Sequence, residues 1–126
     1  MDVQLQQVAQ RVIDLDRATT FYAGLLGLPP AARFDPPGLV FFNVGPVRLL
    51  LDRAAPGCLL YLRVDDLHAR IEELRAEGVE IVQEPHVIFT HTDDRIGPAG
   101  NDEWQAFIRD SEENIVGLIG YQQMAP

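Results

Sequence analysis

The chain has 126 residues, 47% of them hydrophobic and 23% charged, which suits one folded domain with a real core and argues against disorder. Its net charge of −9 repels phosphate backbones, which argues against nucleic acid as a partner and favours a cationic ligand at long range. There is no apolar run of membrane-spanning length and no basic-then-apolar leader, so a cytoplasmic protein without membrane contact is expected; the single Cys58 excludes an internal disulfide and a cysteine-rich zinc site.

Val3 to Val12 reads as a strand, with Val8, Gln10 and Val12 on one face and Gln7, Ala9 and Arg11 on the other. Asp14 or a neighbour caps a helix, and Asp16 in its first turn complements the helix dipole. Leu15, Ala18, Tyr22, Leu25 and Leu26 repeat at helical spacing, and Gly27 with Pro29-Pro30 stops the helix. Extended segments follow at about Ala31–Phe34, Leu39–Asn43 and Val47–Asp52, separated by turns at Pro36-Pro37-Gly38 and Gly45-Pro46. Arg53 to Gly57 reads as a linker.

The same order then returns. Leu59 to Val64 is a strand, Asp65 or Asp66 a helix cap, and Leu67, Ile71 and Leu74 an apolar stripe that ends at Gly78. Glu80 to Phe89 is extended and interrupted by Pro85, and a polar loop runs through Asp102. Trp104–Arg109 and Ile115–Tyr121 close the chain as strands around the turn "DSEEN". "RVIDLDRATTFY" at Arg11 and "RVDDLHARIEEL" at Arg63 share Arg-Val-x-Asp-Leu at an offset of 52 residues, and Gly27 and Gly78 repeat at 51. The chain is therefore an α+β fold of two βαβββ modules within a single domain over residues 1–126, module one about 3–53 and module two about 57–122. One module's sheet has a helix on one face and nothing on the other. The expected solution is a curved mixed sheet with a concave central cavity, helices on the outside and a small-molecule ligand inside.

Val12–Leu28, Val64–Ile81 and Phe107–Ile119 resemble the vicinal oxygen chelate superfamily, which includes glyoxalase I, extradiol dioxygenases and the fosfomycin and bleomycin resistance proteins. The last stretch is similar to the family ending Phe-x-Asp-Pro-x-Gly-Asn, with Ser111 in place of the proline and Glu113 in place of the glycine. The resemblance implies a divalent metal held by His or Gln on the first strand of a module and Glu on its last. Carried over position by position, those slots fall on Gln7, Leu50, Leu59 and Gly117. Only Gln7 has a ligating atom, so no metal and no other cofactor is expected. A different metal site would have to draw on the cluster His86, His91, Asp93, Asp94 and Glu103.

"EPHVI" and "NDEW", with "FIRD", resemble a bacterial subgroup of that superfamily, and Glu84, His86, Glu103 and Trp104 match its pattern. Trp104 offers a flat surface for a ligand, with Glu103 and His86 as candidate catalytic or hydrogen-bonding groups beside it. The alternative for each is structural: Trp104 in the core, His86 on a backbone carbonyl, Glu103 solvated. Alternation places Gln7, Ala9, Arg11, Arg48, Leu50, Leu59, Tyr61 and Arg63 on the ligand side, with Arg48 and Tyr61 as a polar rim. Arg11 and Arg63 are expected to pair with acidic neighbours, and His68 to be exposed and inert. The leading reading is a metal-free small-molecule binding protein of the bleomycin-resistance type, a homodimer taking a cationic or aromatic ligand. The second is a glyoxalase-like lyase or dioxygenase-like enzyme with a non-standard metal site built from Gln7, His86 or Glu103. The third is metal-free acid–base catalysis by Glu103 and His86.

Overall fold

The computed structural model describes residues 4–124, and Val3 of the expected first strand lies outside them. The order is β1 (Gln7–Arg11), α1 (Leu15–Leu26), β2 (Ala32–Phe34), β3 (Leu39–Val44), β4 (Val47–Asp52), β5 (Leu60–Arg63), α2 (Leu67–Ala76), β6 (Ile81–His91), β7 (Asn101–Arg109) and β8 (Ile115–Gln123). This is βαβββ twice, and each module builds its own four-stranded mixed sheet. The chain forms two compact units, one up to Cys58 together with Ser111–Asn114, the other Leu59–Asp110 with the segment from Ile115 onward. Among the described residues no helix is long and apolar enough to cross a membrane.

In the first unit the strand order is β1-β4-β3-β2, with β1 parallel to β4 and the other pairs antiparallel. The Asp14 carboxylate accepts from the Arg17 N–H at 3.0 Å and starts α1. Gly27, at φ 67°, ends it in a left-handed turn that side-chain-bearing residues resist. Leu15, Ala18 and Tyr22 are buried on one face of α1, against a core that includes Val40, Phe42, Leu49 and Leu51. Gln10 is fully buried on the same side of β1. Its amide oxygen accepts from the Cys58 backbone N–H at 3.1 Å, which satisfies a polar group that burial would otherwise penalise.

A carboxylate from the four-residue segment completes this unit. Glu112 accepts from the N–H groups of Ile13 and Asp14 at 2.7 and 2.6 Å, and pairs with Arg17 through both oxygens. These two N–H groups lie just before the helix, where no intrahelical acceptor exists.

In the second unit the order is β5-β8-β7-β6, with β5 parallel to β8. Asp66 caps α2 through the Ala69 N–H, and the helix closes beyond Glu77 with Val79 N–H on the Leu74 carbonyl. Leu67, Ile71 and Leu74 are buried on one side of α2, and Ala106, Ile108, Val116 and Leu118 on the sheet beneath. Gly120 lets α2 sit down, because a Cβ there would stand 2.7 Å from the Leu67 Cβ. β6 is an edge strand with three register shifts, which is why Pro85 is accommodated inside it. The β6–β7 hairpin is longer than the sequence suggests. Thr90 pairs with Asp102 and His91 with Asn101, and the Thr90 hydroxyl donates to the Asp102 carboxylate at 2.7 Å. The connecting loop is only 92–100.

Candidate functional site

The face of the second sheet opposite α2 gathers several of the candidate side chains. Successive side chains alternate across a strand, so β7 sends Trp104, Ala106 and Ile108 toward the helix and Glu103, Gln105 and Phe107 away from it. Pairing puts Tyr121 opposite Glu103, Gly117 opposite Phe107 and Tyr61 beside Gly117 on this same face. Phe89 stands opposite Glu103 and His86 opposite Gln105 from β6. The Tyr61 and Phe107 rings meet edge to face at 5.9 Å, and the Arg63 guanidinium lies 5.8 Å from the Tyr121 ring centre.

The most buried polar group here is a pair drawn from the hairpin cluster of histidines and carboxylates. Glu103 Oε1 lies 2.8 Å from His91 Nε2, and both residues are almost sealed, at 6% and 5% exposure. Glu103 Oε2 accepts from the Gln105 amide at 2.7 Å. The Tyr121 ring packs edge-on against His91 at 5.9 Å. Burial, and then the Glu103 charge, push the Tyr121 hydroxyl above its ordinary pKa, against the pull of Arg63.

His86, expected beside Glu103, goes elsewhere. Its Nδ1 contacts the Glu84 carbonyl at 3.0 Å and its Nε2 the Gln83 amide at 3.4 Å, so it serves the backbone of a bulged edge strand. Glu84 pairs with Arg75 of α2. Trp104 is separated from Glu103 by the sheet itself. Its ring meets the His68 ring edge-on at 4.7 Å, and the two line a hollow of about 300 Å³ with Asp65, Asp66, Leu67 and Gly120. His68 is exposed on α2, as expected, and its ring is the one Trp104 meets. Trp104 Nε1 is buried there, and among the described residues it has no hydrogen-bond partner. The expectation that Trp104, Glu103 and His86 surround one ligand is corrected: strand alternation puts Trp104 and Glu103 on opposite sides. Arg63, expected to pair with an acid, instead covers an aromatic ring.

The metal slots of the resembling family also take definite geometry. The Gln7 amide oxygen accepts from Arg48 Nε at 3.1 Å, and that guanidinium lies over the Phe41 ring at 5.6 Å. A cation already holds the one suitable oxygen. Leu50 is buried and Leu59 half-exposed, and neither has a donor atom. At Gly117 a Cβ would meet the Tyr61 ring at 2.6 Å and the Phe107 ring at 3.2 Å, so aromatic carbon fills the space of the family's glutamate. Of the alternative cluster only His91 and Glu103 meet. Asp93 is bound by Arg95, and Asp94 accepts from the Ala99 N–H at 2.8 Å. Among the described residues no three His, Cys, Asp or Glu side chains converge on a metal position. The residues present do not fit the family's metal.

A model of the Glyoxalase/Bleomycin resistance protein/Dioxygenase superfamily matches residues 4–114. No curated protein matches the chain in sequence. Among solved structures, an antibiotic-binding protein from a Streptomyces species superposes with TM-score 0.72 at 21% identity, over 96% of this chain and 98% of that one. A lactoylglutathione lyase from Agrobacterium tumefaciens gives 0.70 at 22%, over 94% of each chain. A glyoxalase-related enzyme from Fulvimarina pelagi gives 0.68 at 15%, over 93% of this chain and 87% of that one. At these identities the likeness is one of fold.

Proposed function

The chain belongs to the glyoxalase/bleomycin resistance protein/dioxygenase superfamily, and on that premise we propose that it is a metal-independent small-molecule binding protein. Its ligand is a cationic or aromatic molecule held on the face of the second sheet opposite α2. The observation that carries the reading is Gly117, whose missing side chain is replaced by the Tyr61 ring. The Arg48–Gln7 bond supports it, because a guanidinium on the remaining oxygen repels a second cation. The ligand class rests on charge and on accessible aromatic surface. The chain carries −9 overall, and Tyr61 and Phe89 are each about half-exposed on this face, 48% and 50%. A homodimer is part of the proposal, supported by exposed Val82, Val87 and Ile88 on edge strand β6 and read out by sedimentation.

The test is metal content together with binding. Purified protein is expected to hold no stoichiometric zinc, nickel, manganese or iron. It is expected to bind the aromatic cation 2-naphthylmethylammonium equally well with and without EDTA. Stoichiometric metal that disappears in Gln7→Ala, or binding abolished by EDTA, overturns the proposal.

A further inference from the structure

We propose that His91, held by Glu103, is the hydrogen-bond acceptor of a ligand position at the loop end of the second sheet, built for the N–H donor of a protonated aromatic amine. The inference rests on the reading that the chain binds a small molecule, and adds the atom that receives it.

An ionised carboxylate can only accept, so the 2.8 Å contact between Glu103 Oε1 and His91 Nε2 requires the hydrogen on Nε2. The lone pair of the neutral ring is then on Nδ1. Glu103 is itself fixed, since its second oxygen accepts from Gln105. The ring is confined as well. Gly97 passes so close that a Cβ there would stand 2.6 Å from His91 Cε1, and the Phe89 ring lies 5.8 Å away by centroids. This is a histidine oriented by a carboxylate and by packing, as a site that must present one nitrogen requires.

That nitrogen is available. His91 is only 5% exposed, yet among the described residues Nδ1 takes no protein partner and is not sealed from solvent. His91 borders a hollow of about 350 Å³, together with Phe89, Thr92, Asp93, Arg95 and Ile96. The volume suits a small ring system. Phe89 and Ile96 give it accessible apolar walls.

The charge balance selects the donor. Asp93 and Arg95 both line the hollow and pair with each other, while the Asp102 carboxylate is bound to the lining Thr90 and the Glu103 carboxylate to the lining His91. Three carboxylates against one paired guanidinium leave negative charge in excess, so an ammonium is favoured over an anion. An ammonium N–H on Nδ1, with the ring of the ligand against Phe89, satisfies the acceptor and the apolar wall together.

The experiment uses the full chain labelled with 15N and the probe 2-naphthylmethylammonium. In the free protein, His91 is expected to show the neutral tautomer protonated on Nε2. Probe addition is expected to move the His91 Nδ1 resonance in a saturable way. His91→Phe keeps ring volume and removes the acceptor, and is expected to weaken the probe at least tenfold. Glu103→Gln, which releases the tautomer, is expected to weaken it severalfold. Phe34→Ala, an exposed aromatic on β2 of the first sheet, is expected to leave affinity within twofold. Because the spectrum of the unsubstituted protein decides by itself, a variant that fails to fold leaves the test intact. Probe binding with the Nδ1 resonance unmoved overturns the inference and leaves the small-molecule reading standing. No binding at millimolar probe overturns both.

Discussion

Glu112 is the side chain whose removal has the most calculable effect. Its side chain is fully buried and accepts from Ile13 N–H, Asp14 N–H, Arg17 and the Ser111 hydroxyl. Burial alone would raise its pKa. The Arg17 guanidinium, the two backbone donors and Ser111 outweigh burial and hold it at about 2 instead of 4.5. A depression of that size corresponds to about 3 kcal/mol of folding stability at neutral pH. The sign follows from proton uptake. As pH falls below 4.5 the unfolded chain binds a proton before the folded one does, so the contribution is complete above 4.5 and is lost as pH falls toward 2. Glu112→Gln replaces the carboxylate by an amide of the same shape, with one acceptor instead of two. A protonated glutamic acid likewise keeps one carbonyl acceptor and turns its other end into a donor. Urea unfolding of both proteins is therefore expected to show the variant less stable by about 2–4 kcal/mol at pH 7, with the gap closing as pH approaches 2. A gap below about 0.5 kcal/mol at pH 7, or one equally large at pH 2, refutes the reasoning.

Gly117→Glu restores the family's residue at its slot, but the new Cβ meets Tyr61 at 2.6 Å. Thermal unfolding is expected to show a loss of about 1–3 kcal/mol, smaller when Tyr61→Ala is added to open the space. Tyr121 is held neutral by burial and by Glu103, so its ionisation is expected above that of a free tyrosine. Alkaline difference absorbance is expected to lose a step lying above the free-tyrosine range in Tyr121→Phe. The same shift makes the unfolded chain ionise first, so Tyr121 contributes stability below pH 10 that is lost as pH rises through its folded pKa.

The modules were legible because their signals are local. Asp14 and Asp66 both cap as expected, Gly27 and Gly78 both turn with positive φ, and the buried stripe Leu67, Ile71, Leu74 is the one periodicity predicts. These features depend on residues within one helical turn of each other. The strand length of the β6–β7 hairpin was not legible, because "THTDD" and "GND" carry turn chemistry in sequence. Their pairing across the hairpin is a property of two segments, and only contact between them reveals it. The role of Glu112 was hidden for a similar reason. Its partners Ile13, Asp14 and Arg17 lie 95 to 99 residues away.

The misplacement of the site has a sharper cause. "NDEW" puts Glu103 and Trp104 side by side in sequence, and adjacency suggests a shared pocket. In a strand adjacency means the reverse, since neighbours face opposite sides of the sheet. Applied to β7, that rule separates the pair on strand geometry alone, and it makes the residues two apart, Glu103 and Gln105, the natural partners. It cannot choose between His86 and His91, because β6 carries register shifts on both sides of His86–Val87 and each shift resets which face follows. The choice of His91 depends on Gly97 as well. A side chain in that loop position would occupy the space of the imidazole, so the glycine that reads as turn chemistry in sequence is what admits the histidine beside Glu103. The candidate acceptor thus comes from a bulged strand and a loop glycine together, neither of which marks a functional residue when read alone.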